Sequence, residues 1–195
     1  MFRHILPFAL LATAPLAGTA QNLYMLEYPI AVATGDLHTY IDNPSFRGFT
    51  FGYRNMVDAE QAVGLDIGWQ TFFEQKDLAT YTDGTASLTG VQYRYTNFFT
   101  ASLQVDHVFA DGKDIRPFLG IGAGTMYARR TLDMGLYRVE KDPWQFMLQP
   151  EAGVSIYLVN GSAVILSANY YLGFKTQELE AQSYMAFGIA YAFGD

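Results

Sequence analysis

Three histidines are the residues of this chain that most readily suggest enzymatic chemistry: His4, His38 and His107. A hydrolase or acyltransferase needs a histidine, a serine and a carboxylate that converge at one point. His107 directly follows Asp106, but adjacent side chains of a β-strand point to opposite faces. The sequence has neither a His-Glu-x-x-His motif nor a nucleophile elbow. We therefore predict that the protein is not an enzyme and holds no metal.

A glycine-rich run, Gly120-Ile121-Gly122-Ala123-Gly124, has a superficial likeness to a nucleotide-binding loop. Such a loop joins a strand to a helix, whereas no helical pattern follows this run. Glycines in the middle of a strand thin the interior of a barrel or allow a bend. The chain has no cysteine, which excludes disulfides and thiolate metal sites. We predict no cofactor.

Five charged residues need a structural explanation: Glu27, Arg54, Asp66, Asp106 and Glu151. Each lies in a segment in which large apolar residues alternate with small or polar ones, and each falls on the small or polar side. A charge buried on that side must be paired, because an isolated one costs several kcal/mol. We expect a polar cluster inside the fold in which Arg54 bridges at least two carboxylates. A catalytic or conducting role for this cluster is the less favoured alternative.

The alternation is clearest in the segment 182–193. Its odd positions from 185 to 193 are large and apolar, and its even positions from 186 to 192 are alanine or glycine. A period of two indicates a β-strand with two different faces. A soluble sandwich would have one polar face, whereas small residues suit the crowded interior of a narrow barrel. The pattern is therefore typical of a membrane barrel strand whose bulky face contacts lipid.

Seven further segments follow the same rule. The predicted strands are 24–34, 46–55, 61–74, 87–109, 116–130, 144–158, 163–174 and 182–193. Short connections at 56–60, 110–115 and 159–162 alternate with longer, more polar ones, and two short ones carry the turn pairs Asp111-Gly112 and Asn160-Gly161. This arrangement predicts an all-β fold, an eight-stranded antiparallel up-and-down transmembrane β-barrel with its long loops outside the cell.

The fourth segment is longer than the roughly 9–11 residues that a membrane-spanning strand needs. Its odd positions nevertheless keep one phase from Val91 to Val105. We expect the surplus, from Ser87 to about Thr96, to extend beyond the membrane in a hairpin with the end of the third strand. The alternative is two strands broken at Asn97, which would make the strand count odd.

The N-terminal segment helps to predict the cellular location of the protein. Residues 1–20 contain an apolar run that ends in small residues, which is typical of a cleaved signal peptide, and we assign 21–195 to the barrel domain. The run is shorter than the roughly 20 residues of a spanning helix. A mean hydropathy of +0.06 also excludes a helical membrane protein. Together these features predict a protein of the bacterial outer membrane.

Charge and loop composition limit the partners. The formal net charge of −7 argues against nucleic acid, which is bound through clustered lysine and arginine. Outer-membrane lipid is the expected surrounding. Apolar residues in the predicted loops indicate either packing in a cap, which we favour, or contact with a protein partner. They are Tyr40, Ile41, Leu78, Tyr81, Leu132, Met134, Leu136 and Tyr137.

The fifth segment carries a family resemblance. The run Arg116-Pro117-Phe118-Leu119-Gly120-Ile121-Gly122-Ala123-Gly124 resembles the "RPYxGxGxG" strand of the outer-membrane β-barrel superfamily, which includes outer-membrane protein A-like and porin-family barrels. The runs 46–49, 68–74, 90–95 and 134–137 are similar to a subgroup associated with Bacteroidota. The resemblance spans nearly the whole mature chain and implies an eight-stranded, mostly non-enzymatic outer-membrane protein.

Three functions are compatible with these features. We favour an integral outer-membrane barrel with a structural or interaction role, a closed polar lumen and surface-displayed loops. The alternative is a narrow porin-like channel for ions or small solutes. A secreted lipocalin-like ligand-binding barrel is less favoured, because it requires the bulky residues to line a cavity.

Overall fold

A computed structural model describes residues 22–83, 86–109, 113–158 and 161–194. The predicted signal peptide and the turn residues Asp111, Gly112 and Asn160 lie outside the described residues. Within these ranges the chain forms nine strands and one short helix. They are β1 Asn22–Thr34, α1 Gly35–Tyr40, β2 Gly48–Met56, β3 Gln61–Asp83, β4 Ala86–Val108, β5 Ile115–Met134, β6 Tyr137–Lys141, β7 Trp144–Tyr157, β8 Ala163–Gly173 and β9 Gln182–Gly194. No helix of the described part has the length and apolar character to cross a membrane.

Eight of these strands close into an antiparallel barrel. The sheet runs β4-β3-β2-β1-β9-β8-β7-β5, and β5 pairs back with β4. The short connections β2–β3, β4–β5 and β7–β8 meet at one end of the barrel, which we call the short-turn end, and the opposite end is the long-loop end. The predicted fold is confirmed.

The two faces of the barrel wall follow the predicted phase. Bulky side chains of three different strands lie on the outside, with Leu26 57%, Phe146 58% and Ile189 55% exposed. The small residues that alternate with them in β9 are buried, as Ala190 illustrates at 3% exposure. A band of apolar residues of this size on the outer surface is typical of a wall that contacts lipid. It is the opposite of what a lipocalin-like cavity requires.

Strands β3 and β4 form one long hairpin that rises beyond the barrel wall. Their pairing runs from Gln61 and His107 to Asp83 and Ala86, with a register shift between Lys76 and Ala79. The β4–β5 pairing ends at Tyr93, so among the described residues the hairpin beyond this point has no paired strand on that side. The predicted hairpin with the end of the third strand is confirmed, although the third strand is longer than predicted. Because β4 continues through Asn97, the alternative of two broken strands is wrong.

Two elements at the long-loop end were not predicted. The helix α1 begins at Gly35 (φ 54°). Leu37 in this helix and Ile41 directly after it are both 0% exposed and pack into the barrel mouth. Strand β6 pairs with the end of β5 across a turn at Gly135 (φ 60°), so the predicted loop around it is a hairpin.

The apolar residues of the predicted loops divide between packing and exposure. Ile41 is 0% exposed and Met134 8% exposed, whereas Leu78 is 70% and Leu136 fully exposed. Packing therefore accounts for the first pair and not for the second. The side chain of Tyr81 lies outside the described part of the structure.

Candidate functional site

The structure places all five predicted charged residues inside the barrel and brings four of them into contact. Arg54 donates hydrogen bonds from Nη1 and Nη2 to Asp66 Oδ1 and Oδ2, at 2.6 and 3.1 Å. Its Nη2 also lies 3.2 Å from Glu151 Oε2, and its Nε donates to Asp106 Oδ2. All four side chains are buried. One guanidinium therefore joins three carboxylates from three other strands.

Glycines in neighbouring strands make room for this cluster. Gly64 is the register partner of Arg54, and Gly52 is the partner of Asp66. A Cβ atom at Gly64 would lie 2.6 Å from Arg54 Cδ, and one at Gly52 would lie 2.8 Å from Asp66 Oδ1. A Cβ atom at Gly120 would collide with Asp106 Oδ1. The small residues of the inner face are thus the space into which the charged side chains fold.

Glu27 occupies a separate place in the lumen. Its Oε2 accepts a hydrogen bond from Ser167 Oγ at 2.9 Å. Ser167 Oγ also accepts from Asn169 Nδ2 at 3.3 Å, and Asn169 Oδ1 accepts from Gln149 Nε2 at 3.3 Å. Glu27 therefore joins the rest of the polar interior through neutral side chains and makes no direct ion pair with Arg54.

We expect Gly188→Ala to destabilise the barrel by about 1–3 kcal/mol, the usual cost of overpacking an interior. A Cβ atom at Gly188 would collide with the carboxyl group of Glu27, which Ser167 holds in place. Gly90→Ala is the matched control, since its new methyl group would meet only the flexible Met134 side chain, at 3.1 Å. Urea unfolding followed by circular dichroism measures both, and equal stability losses would contradict the prediction.

An apolar layer fills the lumen between the polar interior and the long-loop end. Phe72 and Phe98 are both 0% exposed, and their ring centroids lie 5.5 and 5.2 Å from that of Tyr184. Tyr171 stacks on Tyr184 at 4.5 Å, and the buried Met126 belongs to the same cluster. This layer is not among the predicted sites, although the even-numbered phase of β3 and β4 places Phe72 and Phe98 inside.

Only small voids border the charged cluster. The larger one, between Arg54, Asp106 and the side chain of Phe118, measures about 40 Å³. The void bordered by Glu27, Arg54, Asp66 and Glu151 measures about 10 Å³. A cavity needs about 10–15 Å³ to hold one water molecule. A third void, beside Thr50, Tyr171 and Tyr184, has a volume close to 0 Å³. The arrangement can act as a plug in which one guanidinium is surrounded by three carboxylates.

The histidines are not gathered at this cluster. His38 lies in α1, where its Nδ1 is 3.1 Å from Asp42 Oδ1 at the exposed surface. His107 packs edge-on against Phe109, while Asp106 is buried in the lumen. Within the described ranges, no group of three or more histidine or acidic side chains is placed to hold a metal ion.

Comparisons with known proteins identify the fold. No family model and no curated protein matches this chain. Among solved structures, it is similar to Neisserial surface protein A, with a TM-score of 0.61 and 10% identity over 89% of this chain and 97% of that one. It is similar to OprG of Pseudomonas aeruginosa (TM-score 0.56, 10% identity, 90% and 97% covered). It is also similar to Ail of Yersinia pestis (TM-score 0.54, 12% identity, 89% and 99% covered). The chain therefore has the fold of the small outer-membrane β-barrels.

Proposed function

We propose that this protein is an integral barrel of the bacterial outer membrane with a structural or interaction role. Lipid surrounds its apolar wall, and its long-loop end faces the outside of the cell. In this role the barrel is a rigid support that displays the loops. A protein partner that binds these loops is part of the proposal.

The filled lumen is the observation that carries this proposal. The ion cluster of Arg54 and the aromatic layer of Phe72, Phe98 and Tyr184 follow one another along the barrel axis. A solute on this path would have to separate buried ion pairs and displace close-packed rings, both of which are costly. An eight-stranded barrel is wide enough only for its own side chains. Display of the loops is therefore favoured over transport.

The shape of the long-loop end supports an interaction role. The β3–β4 hairpin and β6 project beyond the wall and present apolar side chains. Leu78, Tyr137 and Val139 are 70%, 67% and 57% exposed. Exposed apolar residues that cluster on a protruding element are typical of contact surfaces. The names of two similar barrels, a surface protein and an attachment invasion locus protein, agree with this role.

We expect the refolded mature chain to be electrically silent in planar lipid bilayers. The measurement is single-channel conductance in potassium chloride, with a general porin inserted into the same bilayers as the positive control. Insertion is checked independently by protease protection of the barrel in vesicles. Reproducible conductance steps would contradict the closed lumen and favour the narrow-channel alternative.

A second measurement addresses the partner. Gentle detergent solubilisation of the native outer membrane, followed by affinity purification, tests for a stable complex. A partner that binds the loops is lost from a variant in which Leu136 and Tyr137 are replaced by serine. Retention of the same partner would place the contact elsewhere on the barrel.

A further inference from the structure

Two arginines converge on one tyrosine ring at the long-loop mouth of the barrel. The Cζ atom of Arg130 lies 4.0 Å from the centroid of the Tyr40 ring, and that of Arg94 lies 4.9 Å from it. The arginines come from the inner faces of β5 and β4, where Arg94 pairs with Leu132 and Arg130 with Thr96. Tyr40 is the last residue of α1, and its ring faces both guanidinium groups. We call these three residues the mouth cluster.

The cluster holds two positive charges without a directly bound carboxylate. Within the described part of the chain, no carboxylate oxygen lies within 4.0 Å of either guanidinium. Glu74, the register partner of Arg94, is engaged by Lys76 Nζ at 2.5 Å and by the backbone N–H of Asp42 at 2.9 Å. Glu74 is therefore not hydrogen-bonded to Arg94, and the two charges attract each other only at longer range.

The other acids around the mouth leave the two charges unpaired as well. Asp133 lies 3.3 Å from Arg138 Nε and acts on Tyr40 only at longer range. Asp36 is exposed on α1 and contributes only a longer-range attraction to Arg130. The mouth cluster thus differs from the Arg54 cluster, in which each hydrogen-bonded carboxylate touches the guanidinium directly.

The hydrogen bonds of the two guanidiniums leave donors to spare. Arg94 donates from Nε and Nη2 to Gln92 Oε1 and from Nη1 to the backbone carbonyl of Tyr40. Arg130 donates from Nη2 to Gln182 Oε1 at 2.9 Å. Its Nε is buried and has no acceptor among the described residues. All of these acceptors are neutral, whereas an arginine fork binds oxyanions more strongly.

Tyr40 does not supply the missing negative charge. Burial raises the pKa of its phenol above the ordinary value, although Arg130 and Arg94 act in the opposite direction. Its hydroxyl donates to the carbonyl oxygen of Thr131 at 3.2 Å. The ring therefore offers both cations a neutral π-face and fixes their positions.

We propose that the mouth cluster is a binding site for an oxyanion, such as a phosphate, sulfate or carboxylate group, held between Arg94 and Arg130. The site deepens the proposed function, because it rests on the long-loop end facing the outside, and it names the chemistry of a ligand. A soluble anion is the expected source. Both arginines lie on the inward phase of their strands, so the barrel wall separates them from the lipid headgroups.

The test is a titration of inorganic phosphate into the refolded protein in nanodiscs of neutral lipid, at an ionic strength held constant with chloride. The Nε–H signals of the arginines are followed by nuclear magnetic resonance. We expect saturable shifts for Arg94 and Arg130 and none for the exposed Arg47. Shifts that stay linear with concentration, or that affect all arginines alike, would overturn the proposal.

Two charge-matched variants sharpen the test. Arg130→Gln should weaken phosphate binding by about tenfold or more, the effect of losing one charged hydrogen-bond donor. Arg47→Gln removes the same charge from the same end of the barrel and should leave the affinity unchanged. If both variants lose affinity equally, a general field of positive charge explains the binding and the site is excluded. The signals of Arg94 and Arg130 in the parent protein give an answer even if Arg130→Gln does not fold.

A separate arm distinguishes the source of the anion. Nanodiscs that contain phosphatidylglycerol, without added phosphate, should leave both signals where neutral lipid leaves them. A shift of these signals that appears only with the anionic lipid would show that lipid headgroups reach the two arginines. It would overturn the proposal that they bind a soluble anion inside the barrel mouth. Because bilayer conductance is measured independently, failure of the anion site leaves the proposal of a closed display barrel intact.

Discussion

Arg54→Met should unfold more readily than the parent protein at pH 8, with a loss of about 3–5 kcal/mol in the free energy of unfolding. This is the usual cost of removing one partner from a buried ion cluster. The variant leaves Asp66, Asp106 and Glu151 close together with no cation in contact. Urea titration in detergent micelles, followed by circular dichroism, measures the difference.

The pH dependence of this loss identifies its cause. As the pH falls from 8 to 5, the carboxylates that Arg54→Met leaves unpaired take up protons, which removes their mutual repulsion. The variant should therefore recover part of its stability relative to the parent. A loss of equal size at both pH values would count against the ion cluster, and no loss at all would indicate a hydrated lumen and favour a pore.

Two controls distinguish the effect of disrupting the buried ion cluster from the effect of removing any arginine. Arg138→Met removes an exposed arginine near Asp133 and Glu140, and exposed pairs contribute little, so its stability should equal that of the parent. Replacing Arg54 and its three carboxylates together by apolar residues of similar volume should cost less than Arg54→Met alone. A fourfold variant that is less stable than the single one would contradict this explanation.

Leu166→Arg should cost about 2–4 kcal/mol if the residue lies near the bilayer midplane, and Ile189→Arg should cost a similar amount. The two residues are register partners of β8 and β9, and both are exposed on the outer wall, at 47% and 55%. Each arginine would place a charge in hydrocarbon. Folding yield into lipid vesicles and urea unfolding measure the effect.

The control for the lipid face is Leu136→Arg. Leu136 is fully exposed in the turn between β5 and β6, so arginine there remains in water and should leave stability unchanged. Ser167→Asn, one residue from Leu166, tests the other face, since Ser167 is buried in the lumen and should respond through packing. If Leu166→Arg folds into lipid as well as Leu136→Arg does, this surface does not face hydrocarbon.

The strand phase could be predicted from the sequence because it depends on neighbouring residues alone. In β9 large and small residues alternate without interruption from Met185 to Phe193, and each bulky position of this stretch is exposed in the structure. The inward direction of Arg54 and Asp106 follows from the same rule. Period-two patterns are local, so they can be recognised without knowing which strands pair with one another.

The partners of Arg54 depend on information that the sequence does not carry. Asp106 and Glu151 lie on strands that do not pair with β2, and they reach Arg54 only across the lumen. Strand tilt and register decide which inward side chains lie at the same level along the barrel axis. Glu27 shows the same limit, because the sequence left it as a candidate partner of Arg54 and the structure pairs it with Ser167.

The missed elements are short and lack a periodic signal. The helix α1 has six residues and one buried side chain, too few for a helical pattern. All five residues of β6 are exposed, so no alternation marks it as a strand. Gly135 between β5 and β6 was the available clue, since glycine with positive φ is typical of a tight hairpin turn.

The seam between β1 and β9 makes the order of assembly matter. It joins residues from the two ends of the sequence, from Leu23 with Gly194 to Thr34 with Ser183. Until β9 is in place, the nascent sheet has two unpaired edges, which are templates for aggregation. Such distant contacts also form slowly. Pairing of the last strand with the first is therefore the step that removes both free edges, and a chaperone that covers strand edges would lower the risk of aggregation before that step.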